Sequence, residues 1–347
     1  MKLQKKVRIF DEKLNNTSPK LFEDTSGIVF WDDISNQAYY DLYQIQTENF
    51  WIPNEVSMAQ DVSQWVSGKL SHEEKELYKS GIGVLAGLDS IATVFDKVAS
   101  DYIGDSAVKA IMAFIAAMET IHNASYTYTF SSLSTKEEAK EVFERAKKNP
   151  FVVKRNKTMI KCFNDFLEKR DIPTFLKALV AMSGLEGVCF VNGFTPFYHL
   201  NRNGKMFGTG KIIKFIQRDE VQHSYFQTLL VRHILTEYPE YNTEEFSQWI
   251  YDFFEELVLL EQEYCIDLYK DIEDIDMEEV NLYVGFRANI ILDNLGLEKI
   301  FPAKKNPMPW ITAFDPANSN RVKTDFFEDE EDNYSLTSED KNEWDDL

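Results

Sequence analysis

Apolar positions recur with helical spacing along nearly the whole chain, and no useful stretch alternates with the two-residue period of a half-buried strand. The pattern predicts helices near 35–50, 55–66, 72–100, 104–133, 136–148, 152–169, 172–200, 208–237, 243–271 and 276–296. Several starts carry caps. Ser71 precedes an acidic turn with Glu74 three residues on, the signature of a capping box. Thr135 stands before Lys136, Glu137 and Glu138 in the same style. Pro302, Pro307, Pro309 and Pro316 then break the periodicity. The expected organisation is an irregular N-terminal arm over 1–30, an all-α helical domain over 31–313 and an acidic tail over 314–347, which its composition predicts to be disordered.

Composition narrows the partners. Hydrophobic residues make up 44% of the 347, enough for a sizeable core. Lys and Arg number 37 against 58 Asp and Glu, a net charge of −21. That balance argues against nucleic acid, whose phosphates need a basic face, and against an anionic membrane surface. The stretch from Asp325 to Leu347 holds eleven acidic residues and one lysine, a pattern typical of docking tails. Cys162, Cys189 and Cys265 form no C-x-x-C pair, so a reduced, intracellular chain is expected. The N-terminus, MKLQKKVRIF, lacks the apolar run of a signal peptide, and no stretch reads as about 18 uninterrupted apolar residues. A cytoplasmic location follows as the expectation.

The chemistry sits where ionisable residues interrupt buried-looking helices. Glu119 and His122 form one Glu-x-x-His, and Glu220 and His223 form a second. Residues three apart share a helix face, so each pair can reach one metal ion. The segment around the first, AIMAFIAAMETIHNASY, is apolar nearly all round, so its Glu and His need partners. Asp89 interrupts GVLAGLDSIATVF and Glu186 interrupts ALVAMSGLEGVCF. Asp89 precedes the first motif by 30 residues and Glu186 precedes the second by 34. A lone Glu-x-x-His is commonly chance, but this doubled arrangement matches the ligand recipe of a ferritin-like di-metal bundle: four carboxylates and two imidazoles. Two divalent ions balance the four negative charges, and hard oxygen donors with two imidazoles suit iron or manganese.

Tyr126 lies one turn beyond His122 on the same face. It can be an ordinary core tyrosine, or a phenol that a di-metal oxidant converts to a radical. Phe190, Phe194 and Ile216 flank the ligand positions at helical spacing and offer dry walls. His72 and His233 read as surface residues, and His199 as structural.

These motifs together resemble the radical-generating beta subunit of class I ribonucleotide reductase over residues 35–345. LDS at 88–90, METIHNASY at 118–126, LEGVCFVNGF at 185–194 and IQRDEVQH at 216–223 carry the likeness. The resemblance implies that Asp89, Glu119 and His122 hold one metal, that Glu186, Glu220 and His223 hold the other, and that Glu119 and Glu220 bridge. It implies a stable radical on Tyr126, formed with dioxygen, or with superoxide where manganese is used. Trp51 in NFWIPNEV matches a tryptophan near the first metal, and Asp219 matches an aspartate bonded to the metal-bound His122. Tyr334 resembles a tail tyrosine that passes the radical to the large subunit, with Trp344 and Leu347 anchoring the tail. The tail and NRNGK at 201–205 look closest to the class Ib branch, which adds a flavodoxin-like activase as a partner. The long N-terminal arm and Gln222, between Glu220 and His223, depart from that branch. Homodimerisation also follows from the family. The competing expectations are an R2-like oxidase or desaturase acting directly on its own substrate, and iron storage.

Overall fold

The computed structural model of the chain describes residues 1–6, 20–24, 30–34 and 36–314. The architecture is an all-α, ferritin-like bundle. Among the described residues the only strand-like pairing is an isolated bridge between Lys2 and Asp171. The α-helices are α1 (Gln37–Glu48), α2 (Ala59–Val66), α3 (His72–Ser100), α4 (Ser106–Leu133), α5 (Lys136–Lys148), α6 (Pro150–Lys169), α7 (Ile172–Gly184), α8 (Val191–Gly193), α9 (Thr195–Arg202), α10 (Phe207–Glu237), α11 (Glu244–Tyr269) and α12 (Met277–Asn294). Where the periodicity predicts one helix over 172–200, the chain instead runs through α7, a π-helical turn over Leu185–Phe190, α8 and α9. The stretch is apolar on every side, so an inserted residue disturbs no polar phase and leaves no trace in the pattern.

Local chemistry fixes where the long helices begin. Ser71 and Glu74 make the predicted capping box, with Glu74 N–H donating to Ser71 Oγ at 3.2 Å and Ser71 N–H to Glu74 Oε2 at 2.9 Å. Asp105 accepts from the amides of Ala107 and Val108 at 2.9 and 3.0 Å to start α4. The start of α10 has no cap of its own, because Met206 sits there in the left-handed region. The buried Asp61 on α2 supplies the acceptor instead, taking the Gly208 and Thr209 amides at 2.9 and 2.7 Å. That contact registers α2 against α10.

Packing is organised around two helix pairs, α3 on α4 and α7 on α10, with α5, α6, α11 and α12 outside them. The stretch Ile172–Arg202 is long and apolar enough to cross a membrane by length and composition, which the sequence pattern alone does not bring out. Its most apolar window is 94% buried inside the bundle, as befits a core element. His233 departs from its surface assignment. Tyr39 Oη lies 2.7 Å from its Nδ1, and Glu237 Oε1 lies 3.3 Å from its Nε2, so it ties α1 to α10. His199 is fully buried, 3.1 Å from Asp274.

One charge pair lies in the dry interior away from the ligand positions. Arg155 on α6 is fully buried and donates to Glu261 Oε2 on α11 at 2.7 Å, while Asn192 donates to Glu261 Oε1 at 2.8 Å. Removing one partner strands a buried charge, which costs about 3–5 kcal/mol. Arg155→Met is therefore expected to lower unfolding stability by roughly that amount in urea denaturation; a loss of under about 1 kcal/mol would show that the pair is not what joins α6 to α11.

Candidate metal centre

The six predicted ligand positions converge. Asp89 comes from α3, Glu119 and His122 from α4, Glu186 from the π turn, and Glu220 and His223 from α10, and all six side chains are fully buried. Their ligand atoms fall into two groups, each within a span of 4.8 Å: Asp89, Glu119, His122 and Glu220, and Glu119, Glu186, Glu220 and His223. Glu119 and Glu220 belong to both groups. His122 Nδ1 lies 2.9 Å from Glu220 Oε1 and 3.5 Å from both Asp89 Oδ1 and Glu119 Oε2. His223 Nδ1 lies 2.8 Å from Glu119 Oε1 and 3.3 Å from Glu220 Oε2. Each imidazole thus faces the glutamate of its own motif and comes closer still to that of the other.

The donor set fits metal ions. All the carboxylate oxygens of Asp89, Glu119, Glu186 and Glu220, and Nδ1 of both histidines, lack a hydrogen-bond partner although they are buried. Buried polar atoms normally have partners, so a concentration of orphans at one point marks a place for cations. Burial pushes the Asp89 and Glu186 carboxyls well above their ordinary range, and neighbouring carboxylates push in the same direction. Burial opposes ionisation of Glu119 too, but His122 and His223 hold it below the usual value. The imidazoles respond in kind: against the effect of burial, Glu119 and Glu220 raise His223 to about 10, and Asp219 leads the carboxylates that raise His122. The centre attracts positive charge from whatever source can enter it.

The first histidine has an outer partner. His122 Nε2 lies 3.2 Å from Asp219 Oδ2, and the same oxygen accepts from Trp51 Nε1 at 2.8 Å. The Trp51 ring stacks toward the His122 ring, at 6.0 Å between centroids. Sequence reasoning missed Arg218, whose guanidinium reaches Asp219 Oδ1 at 3.4 Å and the Asn49 carbonyl. It also missed Asp96, fully buried two turns beyond Asp89 and accepting from Gln227 Nε2 at 3.1 Å. The signal was present: Asp96 and Gln227 follow Asp89 and His223 by seven and four residues on the same helix faces. Burial pushes the Asp96 carboxyl up to about 8.

Tyr126 is fully buried, and its hydroxyl has no hydrogen-bond partner. Burial first, then the charge of Asp89, raises its phenol well above the ordinary value. Phe190, Phe194 and Ile216 are fully buried as well. Tyr334, Trp344 and Leu347 lie outside the described residues.

Known proteins resemble this chain in sequence and fold. The family model for ribonucleotide reductase, small chain, matches residues 28–307. A ribonucleoside-diphosphate reductase subunit beta from Halalkalibacterium halodurans is 36% identical over 343 residues, covering 98% of both chains. Among solved structures, the ribonucleotide reductase R2 subunit from Clostridium botulinum superposes with a TM-score of 0.83 at 27% identity, covering 90% of this chain and 99% of that one. The dimanganese(II)-NrdF of Streptococcus sanguinis superposes with a TM-score of 0.74 at 28% identity, covering 83% and 98%. The chain belongs to the ribonucleotide reductase small-chain family.

Proposed function

We propose that this beta subunit generates a tyrosyl radical on Tyr126 and sends it to a separate large subunit that reduces ribonucleotides to deoxyribonucleotides. The observation that carries the reading is the position of Tyr126: a fully buried phenol whose hydroxyl has no hydrogen-bond partner, one turn from His122 and beside Asp89. Asp89, Glu119 and His122 would hold one ion and Glu186, Glu220 and His223 the other, with Glu119 and Glu220 shared, in line with the two overlapping groups. Two bound iron or manganese ions supply the redox chemistry that activates oxygen, or superoxide in the manganese case, and takes one electron from the phenol. The dimanganese relative favours manganese, and with it a flavodoxin-like activase as a further partner.

The chain's own residues do the rest. Oxidation of Tyr126 would also pass its hydroxyl proton to the carboxylate side of the centre, where Asp89 is its neighbour, because the phenoxyl radical is neutral and any charged form of the ring would be a buried charge without a partner. Apolar walls at Phe190, Phe194 and Ile216 keep water and reductants from the ring. Asp219 orients His122 and joins it to Trp51 by hydrogen bonds, a continuous path from the centre toward α1. From there the hole passes to Tyr334 and the large subunit, which the acidic tail over 314–347 docks. The division of roles fits a cytoplasmic homodimer. The exposed face of α4 presents Ala113, Ala117, Thr120, Ala124 and Thr127, without one charge in a strongly acidic chain. A charge-free patch of small side chains suits close packing against its own copy.

Three outcomes test this reading. Metal-loaded wild type shows a tyrosyl EPR signal, and Tyr126→Phe abolishes it while still binding two ions per chain; a signal that survives the substitution moves the radical elsewhere. Deleting residues 323–347 leaves the EPR signal intact but lowers nucleotide reduction with the large subunit at least about 100-fold, a loss of roughly 3 kcal/mol of docking and relay. Unchanged turnover would refute the docking tail. Ala117→Glu places a charge in the patch on α4 and is expected to shift the chain from dimer to monomer in light scattering; an unaltered dimer puts the interface on another face.

A further inference from the structure

A π turn carries one of the six ligand positions, and it is held from outside. Widening the ladder from i+4 to i+5 over Leu185–Phe190 releases carbonyls from their usual helical amides. Side-chain donors on other helices reach one carbonyl in this turn and one just before it. Ser224 Oγ on α10 donates to the Ser183 carbonyl at 3.1 Å. Arg287 Nε on α12 donates to the Gly187 carbonyl, the residue after Glu186, also at 3.1 Å. Arg287 is only 7% exposed and Ser224 only 4%, so both donors act in the dry interior, where an unmet carbonyl is costly. Gly187 makes the approach possible: a Cβ there would stand 2.5 Å from Ser224 Oγ and 2.8 Å from Ile291 Cδ1. Glu186 itself has no hydrogen bond on either oxygen, so no side-chain contact among the described residues aims it.

We propose that Arg287 is a positioning residue for the second metal half-site: by gripping the Gly187 carbonyl it holds the π turn, and with it the direction of Glu186. The inference rests on the reading of Glu186 as a metal ligand. The guanidinium suits the task because it keeps its charge and its planar donor geometry when buried. It acts on backbone and touches no ligand atom, so its loss should affect one ion and spare the other.

The test is titration of metal-free full-length chain with Mn(II), followed by the EPR of free Mn(II), alongside amide exchange over residues 184–191. Arg287→Met is expected to keep the helical circular dichroism and bind the first ion as wild type does. Its affinity for the second ion falls about 10–100-fold, and the amides at 184–191 exchange faster. Arg287→Lys, which can still donate to the carbonyl, recovers part of both effects. The proposal is overturned if Arg287→Met binds both ions with wild-type affinity, or if both affinities fall together with the melting temperature, as a general packing defect would produce. Glu186→Ala is the control and should lose the second ion alone. If it binds two ions like wild type, the ligand assignment has failed rather than the clamp; unchanged exchange at 184–191 in Arg287→Met would then refute the clamp on its own terms.

Discussion

Everything in this bundle answers to the cost of placing four carboxylates and two imidazoles in a water-free interior. Unpaired, each such charge would destabilise the fold by several kcal/mol. Grouped, they compensate one another only in part, because four carboxylates carry −4 and two protonated imidazoles return at most +2 before any cation is counted. The remaining imbalance explains the upward pressure on Asp89 and Glu186 and the pull on both histidines. A bundle that merely folded would replace such residues with leucines. Retaining them commits the molecule to binding cations, and their oxygen-rich character selects hard or borderline ions.

Much of this was legible in the amino-acid sequence because burial makes polarity conspicuous. Asp89, Glu119, His122 and Glu186 stand out as interruptions of apolar helices, and the i, i+3 pairs place Glu and His on one face. Helix starts at Ser71 and Thr135 were readable because capping chemistry is local. What escaped was non-local. Arg287 and Arg218 look like surface cations in the linear pattern, and only packing brings their guanidinium groups to the Gly187 carbonyl and to Asp219. The π turn escaped because its surroundings are apolar on every side. His233 escaped because its partners, Tyr39 and Glu237, flank it from another helix and from the end of its own.

The two halves of the centre echo each other in sequence but differ in their outer contacts. Asp219 immediately precedes Glu220 and binds the histidine of the other motif. The equivalent position before Glu119 is Met118, an apolar residue that offers His223 no acceptor. His223 Nε2 is left without a direct partner, and the nearest outer polar pair, Asp96 with Gln227, is carried by other turns of α3 and α10. The broken symmetry has a direction. On the His122 side a hydrogen-bonded line runs through Asp219 to Trp51, an aromatic ring that can carry a hole. On the His223 side Nε2 has no partner and Asp96 accepts from Gln227, and among the described residues no aromatic ring is hydrogen-bonded to either. Under the proposed function, a one-electron oxidant in this frame would have a hydrogen-bonded exit through Asp219 to Trp51, on the half-site of Asp89 and His122 beside which Tyr126 sits. Tyr126 and the hydrogen-bonded line to Trp51 belong to one half, and the π turn with its gripped Gly187 carbonyl belongs to the other, so fixing Glu186 from α12 leaves that line untouched.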